Sequence, residues 1–346
     1  MSSSYAANAI LAKTRAKYGK HLSEKDYQSL LSCESVSDVV SYLKKNTHYS
    51  DILKNVNEIE VHRGQVEMML RQQLFYEFSS LCRYEISVGE HFAKYITQRN
   101  EIAQIMRFLT LLNSDHLKDY ILSLPSYFGN QTKIDLQALS RAKNYNDFLD
   151  AISSTPYYNL LSNFKPQEGT QPDLTNIENT LYTFMYKNVF KIIGKFTKDR
   201  EQIELNRLFK TIIDYQNFVR IVRLKEYYNL DPSQIKAQLL PFGSLRKNGL
   251  DEMCNAENTK QIFSIMQSTI VGKNLEQMEY NYTDQISLIA KYNISRRKIH
   301  FSTYPSVVLL SYIFIMEIEL LNVINIVEGV RYKVPKEKIK ELIIFY

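Results

Sequence analysis

The chain has 346 residues, enough to bury a large core, and 45% of them are hydrophobic, which is typical of a folded protein and excludes a disordered tail. Its 43 Lys and Arg against 37 Asp and Glu give a net charge of +6, which is compatible with nucleic acid, a membrane surface or an acidic protein and selects none of them. With only 10 Gly and 8 Pro, the chain is predicted to form few, long elements, so helices are favoured over a many-stranded sheet.

Most of the chain is predicted to be helical. Residues 5–18 form an amphipathic helix that Gly19 ends, and Ser23 begins the next helix. The long helices fall into three predicted pairs: 60–113 with a turn near 86–89, 177–228 with a turn near 194–199, and 276–292 with 305–332. A short C-terminal helix is predicted after Pro335.

A segment of 23 residues recurs three times, at 31–53, 139–161 and 253–275. Its middle copy predicts a helix that stops near Ser154, a Thr-Pro break, and a short second helix that the Thr hydroxyl caps. The copies share a Thr, the Leu six residues after it, and apolar residues seven and sixteen residues before it: Thr47, Thr155 and Thr269; Leu53, Leu161 and Leu275; Val40, Phe148 and Ile262; Leu31, Leu139 and Met253.

The long helices also repeat. Three sets of residues share one spacing: Gln98, Glu101 and Arg107; Asp214, Asn217 and Arg223; Glu319, Asn322 and Glu328. Together the repeats predict an all-α fold of three structurally related units with pseudo-three-fold symmetry, closed into a three-part body and not an open solenoid. The units are 59–165, 166–275 and 276–346, and the N-terminal segment 1–58 completes the third, which closes on it. The alternative is an irregular helical domain whose spacings coincide by chance.

One apolar stretch, 305–330, raises the question of a membrane span. Four polar residues interrupt it: Glu317, Glu319, Asn322 and Asn325. Its uncharged run is therefore shorter than the roughly 20 residues that a spanning helix needs. We predict a helix that is buried on most sides inside the protein. Residues 1–20 lack a continuous apolar core and a cleavage site, so a signal peptide is not expected either.

Motifs that carry chemistry are absent from the sequence. The Gly-Lys pairs at Gly19, Gly194 and Gly272 lack the glycine five residues earlier that a phosphate-binding loop requires. No two of the six histidines have the i, i+4 spacing of metal ligands on a helix, and the three scattered cysteines form no disulfide or zinc pattern, which favours a reducing compartment. We therefore predict no catalytic residue, no cofactor and no metal; an enzyme with an unrecognised site is an alternative.

Basic residues concentrate in residues 187–225, which hold ten Lys or Arg against four Asp or Glu, and in the patch Arg296, Arg297 and Lys298. The plain interpretation is a solvated helix face. The alternatives are the docking of an acidic helix, a membrane-facing rim, and nucleic-acid binding. Nucleic acid is the weakest of these because no recognition-helix or RNA-platform signature accompanies the charge.

Residues 5–49, YAANAILAKTRAKYGKHLSEKDYQSLLSCESVSDVVSYLKKNTHY, resemble the N-terminus of the C subunit of archaeal and bacterial V-type (A-type) rotary ATPases, the counterpart of the d subunit in eukaryotic V-ATPases. The helix with Asp214, Asn217, Arg220 and Arg223, and the later Leu-Pro loops, resemble the same family. The resemblance covers essentially the whole chain and depends on length, order and the three-fold repeat.

The resemblance implies an all-helical funnel on the cytoplasmic face of the cell membrane, peripheral and held there through the rotary complex. Such a subunit seats the central stalk on the membrane rotor ring and carries torque during ATP-coupled ion transport, with no chemistry of its own. The implied partners are the central-stalk rotor subunits and the membrane rotor ring, with no nucleic acid and no small-molecule substrate.

Four charged residues on equivalent helices are then predicted to line the funnel and contact the stalk: Arg107, Arg220, Arg223 and Glu328. Ion pairs between the units are the alternative role for them. For the whole chain, the alternative is a freestanding basic helical scaffold that binds nucleic acid or an acidic protein partner.

Overall fold

The structure is a computed structural model that describes residues 2–85, 88–114, 116, 117, 120, 125–167 and 169–344, with all side chains in these ranges except those of residues 2–6 and 126. The described residues contain helices and no β-strand. The predicted all-α class is therefore confirmed.

Seventeen α-helices occur in the described ranges. In chain order they are α1 (Ser2–Tyr18), α2 (Glu24–Leu31), α3 (Val36–Asn46), α4 (Ser50–Leu53), α5 (Arg63–Cys82), α6 (Gly89–Asn113), α7 (Leu136–Arg141), α8 (Tyr145–Ala151), α9 (Tyr157–Leu161), α10 (Leu174–Phe196), α11 (Asp199–Glu226), α12 (Pro232–Ala237), α13 (Lys247–Asn255), α14 (Thr259–Ser268), α15 (Gln285–Phe301), α16 (Pro305–Arg331) and α17 (Lys336–Leu342). Short 3-10 helices occupy Ser126–Gln131, Ser162–Phe164 and Gly272–Gln277.

The four long helices of the first two predicted pairs are present, as α5 and α6 and as α10 and α11. The break between α10 and α11 falls at Thr197 and Lys198, inside the predicted turn. Of the turn predicted near 86–89, residues 86 and 87 lie outside the described residues. The low glycine and proline content of these stretches therefore predicts the long helices correctly, because these stretches contain few residues that break a helix.

Two predicted helices are wrong in extent. The helix expected over 276–292 is α15, which starts later and ends later, because a 3-10 turn and a loop occupy its predicted first half and no glycine or proline follows Tyr292 until Pro305. The single helix expected before Ser154 is two helices, α7 and α8. Asn144 caps the N-terminus of α8, because its side chain accepts the backbone N–H groups of the residues two and three positions later.

The chain divides into two compact units. One comprises Met1–Glu90 with Ile193–Tyr346, and the other comprises His91–Ile192. The second unit contains most of α6 and the middle repeat copy, α7–α9, which pack through a stacked pair of rings, Phe108 on α6 and Phe148 on α8, with centroids 5.6 Å apart. The division into three units at residues 59, 166 and 276 remains a prediction.

In the first unit, α16 is the central helix. It packs against α1, α5, α11 and α15, and 20 of its 27 residues are buried. Among the described residues it alone has the length and composition to cross a membrane, yet 89% of its most apolar 18-residue window is buried inside the protein. α16 is therefore accounted for as a core helix, with its polar residues facing partners inside the fold.

Each repeat copy packs on one long helix. The first copy, α2–α4, shares a hydrophobic core with the second half of α16, and the third copy, α13 and α14 with the following 3-10 turn, shares one with the second half of α11. The middle copy packs on α6. The nine apolar residues that the copies share are all buried, from Leu31 at 3% exposure to Val40 at 0%. The repeated spacing therefore reflects the same packing of each copy on its long helix.

The repeated Thr makes the same hydrogen bonds in all three copies. Thr47, Thr155 and Thr269 each donate a hydroxyl hydrogen bond to a carbonyl at the end of the preceding helix, at 2.6, 2.6 and 2.7 Å. Each hydroxyl also accepts a backbone N–H two or three residues later, at 3.3, 3.2 and 3.0 Å. The hydroxyl thus joins the end of one helix to the start of the next.

Candidate functional site

Two buried polar side chains on α11 hold the loop that follows α12. Asp214 accepts the backbone N–H groups of Ser244 (2.9 Å) and Leu245 (3.1 Å). Asn217 donates to the carbonyl of Leu240 (2.9 Å) and accepts the N–H of the same residue (2.8 Å). Burial raises the pKa of Asp214, and the hydrogen bonds from Ser244 and Leu245 oppose that rise. These side chains therefore satisfy backbone groups inside the fold.

α16 carries the same arrangement at the same spacing. Asn322 donates to the carbonyl of Ile344 (2.5 Å) and accepts its N–H (2.8 Å). Its Nδ2 also donates to the hydroxyl of Tyr27 (3.1 Å). Glu319, three residues earlier, accepts the N–H of Leu22 (2.6 Å). The side chains of α16 thus bind both the N-terminal segment and the C-terminal segment that follows α17.

The contacts of the two helices are equivalent in the repeat. Leu22 precedes Thr47 by 25 residues, and Ser244 precedes Thr269 by 25 residues. Both residues donate their backbone N–H to the corresponding carboxylate on a long helix. The repeat therefore includes individual hydrogen bonds as well as the positions of the helices.

Glu319 lies in a cluster of titratable groups. Its Oε1 accepts the hydroxyl hydrogen of Tyr49 (2.8 Å) and lies 3.2 Å from Nε2 of His48, whose Nδ1 is 3.0 Å from the carbonyl of Lys20. Burial raises the pKa of Glu319 to about 7, and the hydrogen bonds from Leu22 and Tyr49 only partly offset it. A cavity of about 250 Å³ lies beside this carboxyl.

On α6, Glu101 holds the middle copy. It accepts the hydroxyls of Thr132 (2.6 Å) and Tyr157 (2.7 Å). Tyr157 follows Thr155 by two residues, as Tyr49 follows Thr47, and both tyrosines donate to a carboxylate on a long helix. Burial, followed by the nearby Glu101 charge, raises the pKa of Tyr157 well above its ordinary value, so the hydroxyl stays a donor.

The structure places the four predicted stalk-contact residues in different surroundings. Arg107 is half-buried on α6, and Arg220 donates to the carbonyl of Gln238 (2.7 Å). Arg223 is half-exposed, and its Nε lies 3.6 Å from Oδ1 of Asp284 in a long ion pair. Glu328 forms a 2.6 Å ion pair with Arg63 of α5. Arg223 is the most accessible of the three whose partners are identified, whereas Glu328 and Arg220 already bond inside the first unit.

The first unit also contains an open cleft of about 1160 Å³ between α11, α15 and the third repeat copy. Its charged lining residues are five basic side chains and one acidic one: Arg207, Lys210, Arg246, Arg297, Lys298 and Glu252. The two basic patches that are separate in the sequence thus meet here. Lys298 is paired with Glu204 (3.0 Å). The convergence arises because α11 and α15 pack against each other, which the spacing of basic residues along either helix does not indicate; the same holds for Arg246 in the loop before α13.

The described residues contain neither a metal-binding group of side chains nor a reactive thiol. No group of three or more His, Cys, Asp or Glu among them could hold a metal ion. Burial raises the pKa of the Cys33 thiol to about 11 and also raises the pKa values of Cys82 and Cys254, so these thiols are protonated and poorly nucleophilic at neutral pH.

Comparisons with known proteins give one consistent result. The sequence profile of the family described as ATP synthase (C/AC39) subunit matches residues 10–342. The chain is 25% identical to the C subunit of the A-type ATP synthase from Methanosphaera stadtmanae, over 96% of this chain and 86% of that protein. It is 24% identical to the corresponding subunit from Methanosarcina mazei, over 99% of this chain and 93% of that protein. A third relative with the same name, from Pyrococcus horikoshii, is 26% identical over 60% of this chain and 57% of its own length.

Proposed function

The chain belongs to the ATP synthase (C/AC39) subunit family, and from this premise we propose that it is the non-catalytic central-stalk adaptor of a V/A-type rotary ATPase. In this role it seats the central rotor shaft on the membrane rotor ring and transmits torque during ATP-coupled ion transport. It lies on the cytoplasmic face of the membrane as a peripheral subunit, and its three related units form a funnel with pseudo-three-fold symmetry.

The observation that carries the proposal is the family match over residues 10–342. The repeat supports the three-unit arrangement, because each copy packs on its own long helix with the same Thr hydrogen bonds. A subunit that transmits torque has to resist shear between its elements. The paired side-chain-to-backbone hydrogen bonds of Asn217 and Asn322 suit that task, since they fix distant segments to the long helices.

Affinity purification of the tagged full-length chain from native membranes tests this function. We expect the stalk and ring subunits of a rotary ATPase to co-purify in fixed stoichiometry and to survive a salt wash. A matched preparation from cells that express the untagged chain is the control. Recovery of the chain without rotary ATPase subunits would contradict the proposal, and its elution with nucleic acid at low salt would favour the scaffold alternative.

Charge reversal of Arg223 tests the proposed stalk contact. Arg223→Glu is expected to weaken binding to the central stalk about tenfold, since a charge pair at an interface becomes a repulsion. Its ion pair with Asp284 is half-exposed on both sides, so the loss of unfolding free energy is expected to stay below about 1 kcal/mol. Asp284→Asn is the matched control, because it removes the same ion pair and keeps the arginine. Unchanged stalk binding with a lowered melting temperature would instead assign Arg223 to ion pairing within the protein.

A further inference from the structure

The adaptor role does not specify what binds in the basic cleft between α11, α15 and the third repeat copy. We propose that this cleft binds an acidic amphipathic helix supplied by another subunit of the same complex. The inference rests on the proposed function, and it adds the place and the chemistry of one contact.

Three of the basic side chains of the cleft form no ion pair inside the described part of the chain. Arg207, Arg246 and Arg297 are exposed, line the same cleft, and form no ion pair within the described part of the chain. Like charges that share a concave surface repel one another, and a carboxylate-bearing ligand relieves that repulsion. Arginine also presents a planar set of donors that can bind a carboxylate through two hydrogen bonds. The cleft is therefore complementary to an acidic ligand.

The cleft also has an apolar component. Ile203 on α11 and Ile270 in the third copy line it and are 65% and 81% exposed. Ile203, Arg207 and Lys210 lie at i, i+4 and i+7, so one face of α11 presents both apolar and basic groups to the cleft. A ligand that covers this face buries apolar groups and offers carboxylates beside them, which is the pattern of an acidic amphipathic helix.

The size of the cleft fits such a helix. A helix is about 10 Å across and rises about 1.5 Å per residue, so about 1160 Å³ holds about ten residues, or close to three turns. A small inorganic anion would leave the exposed isoleucines uncovered. A lipid surface is flat and cannot enter a concave cleft, and a nucleic-acid strand would find few exposed aromatic rings for its bases in this lining.

Photocrosslinking in the assembled complex identifies the occupant. The photoreactive amino acid p-benzoylphenylalanine is placed at Ile270 of the full-length chain, the complex is purified and irradiated, and the crosslinked peptide is sequenced. We expect a segment of another subunit with Asp or Glu at i, i+3 or i, i+4 beside apolar residues. The same photoreactive residue at Ile59, which is 87% exposed and does not line the cleft, is the control and is expected not to give this peptide.

Charge reversal measures the contribution of the cleft to assembly. The double variant Arg207→Glu, Arg297→Glu is expected to bind the remaining subunits at least about tenfold more weakly, with a smaller salt dependence than the wild type. Arg200→Glu, on the same helix but outside the cleft, is the matched control and should bind as the wild type does. Circular dichroism checks that the variants fold.

The outcomes separate the inference from the function. If the chain assembles normally with the double variant, or if Ile270 crosslinks to a segment without acidic residues, the inference is wrong and the adaptor role stands. If the wild-type chain does not assemble with rotary ATPase subunits at all, the proposed function is wrong, and the inference that depends on it is wrong as well.

Discussion

Asn322→Leu is expected to lower the free energy of unfolding by about 3 kcal/mol, because two buried backbone groups lose their only described side-chain partner. Asn322 exchanges two hydrogen bonds with Ile344 across 22 residues of chain, and both bonds are buried. Leucine has nearly the same shape as asparagine, so the variant removes the polar atoms while it changes the packing little. The N–H and carbonyl of Ile344 are then left without these bonds inside the fold.

The control is a second asparagine on the same helix. Asn325 is half-buried and donates one solvent-exposed hydrogen bond to the carbonyl of Leu342 (3.2 Å). Asn325→Leu is expected to change the free energy of unfolding by less than about 0.5 kcal/mol, as surface substitutions usually do. Urea denaturation followed by circular dichroism measures both variants, with the midpoint and the slope reported separately. Equal losses in the two variants would mean that the buried hydrogen bonds contribute no more than an exposed one.

The repeat supplies an independent comparison. Asn217 makes the same two hydrogen bonds with Leu240 that Asn322 makes with Ile344, and it is equally buried. Asn217→Leu is therefore expected to reproduce the loss seen for Asn322→Leu. A large loss at only one of the two positions would show that the two bonds, although alike in geometry, are not alike in energy.

Local signals explain what the sequence predicts well. The long helices follow from few breakers, and the repeated Thr follows from a cap that needs only residues two to four positions away. Even the irregular α7–α8 break has a local cause in the cap at Asn144, although neither a glycine nor a proline marks it.

Interactions between distant segments explain what the sequence does not predict. Asn217 and Asn322 stand at a repeated spacing, but their partners lie 23 and 22 residues away and are backbone groups, which leave no mark in the side-chain pattern. In the same way, Arg246 joins Arg207 and Arg297 only because the third copy packs on α11. Spacing along one helix indicates a shared face, and the fold decides what covers that face.

Relative to the wild type, Glu319→Gln is expected to raise the free energy of unfolding by less than about 1 kcal/mol near pH 5 and by about 3 kcal/mol near pH 8, at about 1.4 kcal/mol per unit of pKa shift. Burial raises the pKa of Glu319 to about 7 in the folded protein, from 4.5 in an unfolded chain. Between these values the folded state holds a proton that the unfolded state has lost. The stabilising contribution of this group is thus complete below about pH 4.5 and is lost as the pH rises through 7.

The hydrogen bonds around Glu319 agree with a protonated carboxyl. The carbonyl of Lys20 can only accept, so Nδ1 of His48 carries the hydrogen that faces it, and in a neutral imidazole Nε2 is then an acceptor. Burial lowers the pKa of His48, which favours that neutral form. Glu319 therefore donates from its carboxyl to Nε2, 3.2 Å away, and the amide of a glutamine can donate in its place.

Other titratable groups face this site and have to be separated from it. Tyr49 donates to Glu319 from the first repeat copy, Tyr27 and Tyr292 line the same region from α2 and α15, and Glu77 acts on it from α5. His48 contributes with the opposite sign, because its lowered pKa makes its contribution complete above about pH 6.5 and lost as the pH falls. The difference between the wild type and Glu319→Gln isolates the carboxyl if these groups behave alike in both proteins.

The measurement is the urea midpoint and slope at several pH values between 5 and 8 for the wild type, Glu319→Gln and Glu337→Gln. Glu337 is an exposed carboxylate in the first turn of α17, so its variant is expected to follow the wild-type profile. Profiles of the wild type and Glu319→Gln that run parallel over this range would show that Glu319 has the same proton occupancy in both states, and that the hydrogen bonds from Leu22 and Tyr49 fully offset the cost of burying the carboxylate. Profiles that diverge between about pH 5 and 7 and run parallel above about pH 7 would establish that α16 contacts the N-terminal segment through a protonated carboxyl, and that this contact weakens as the pH rises.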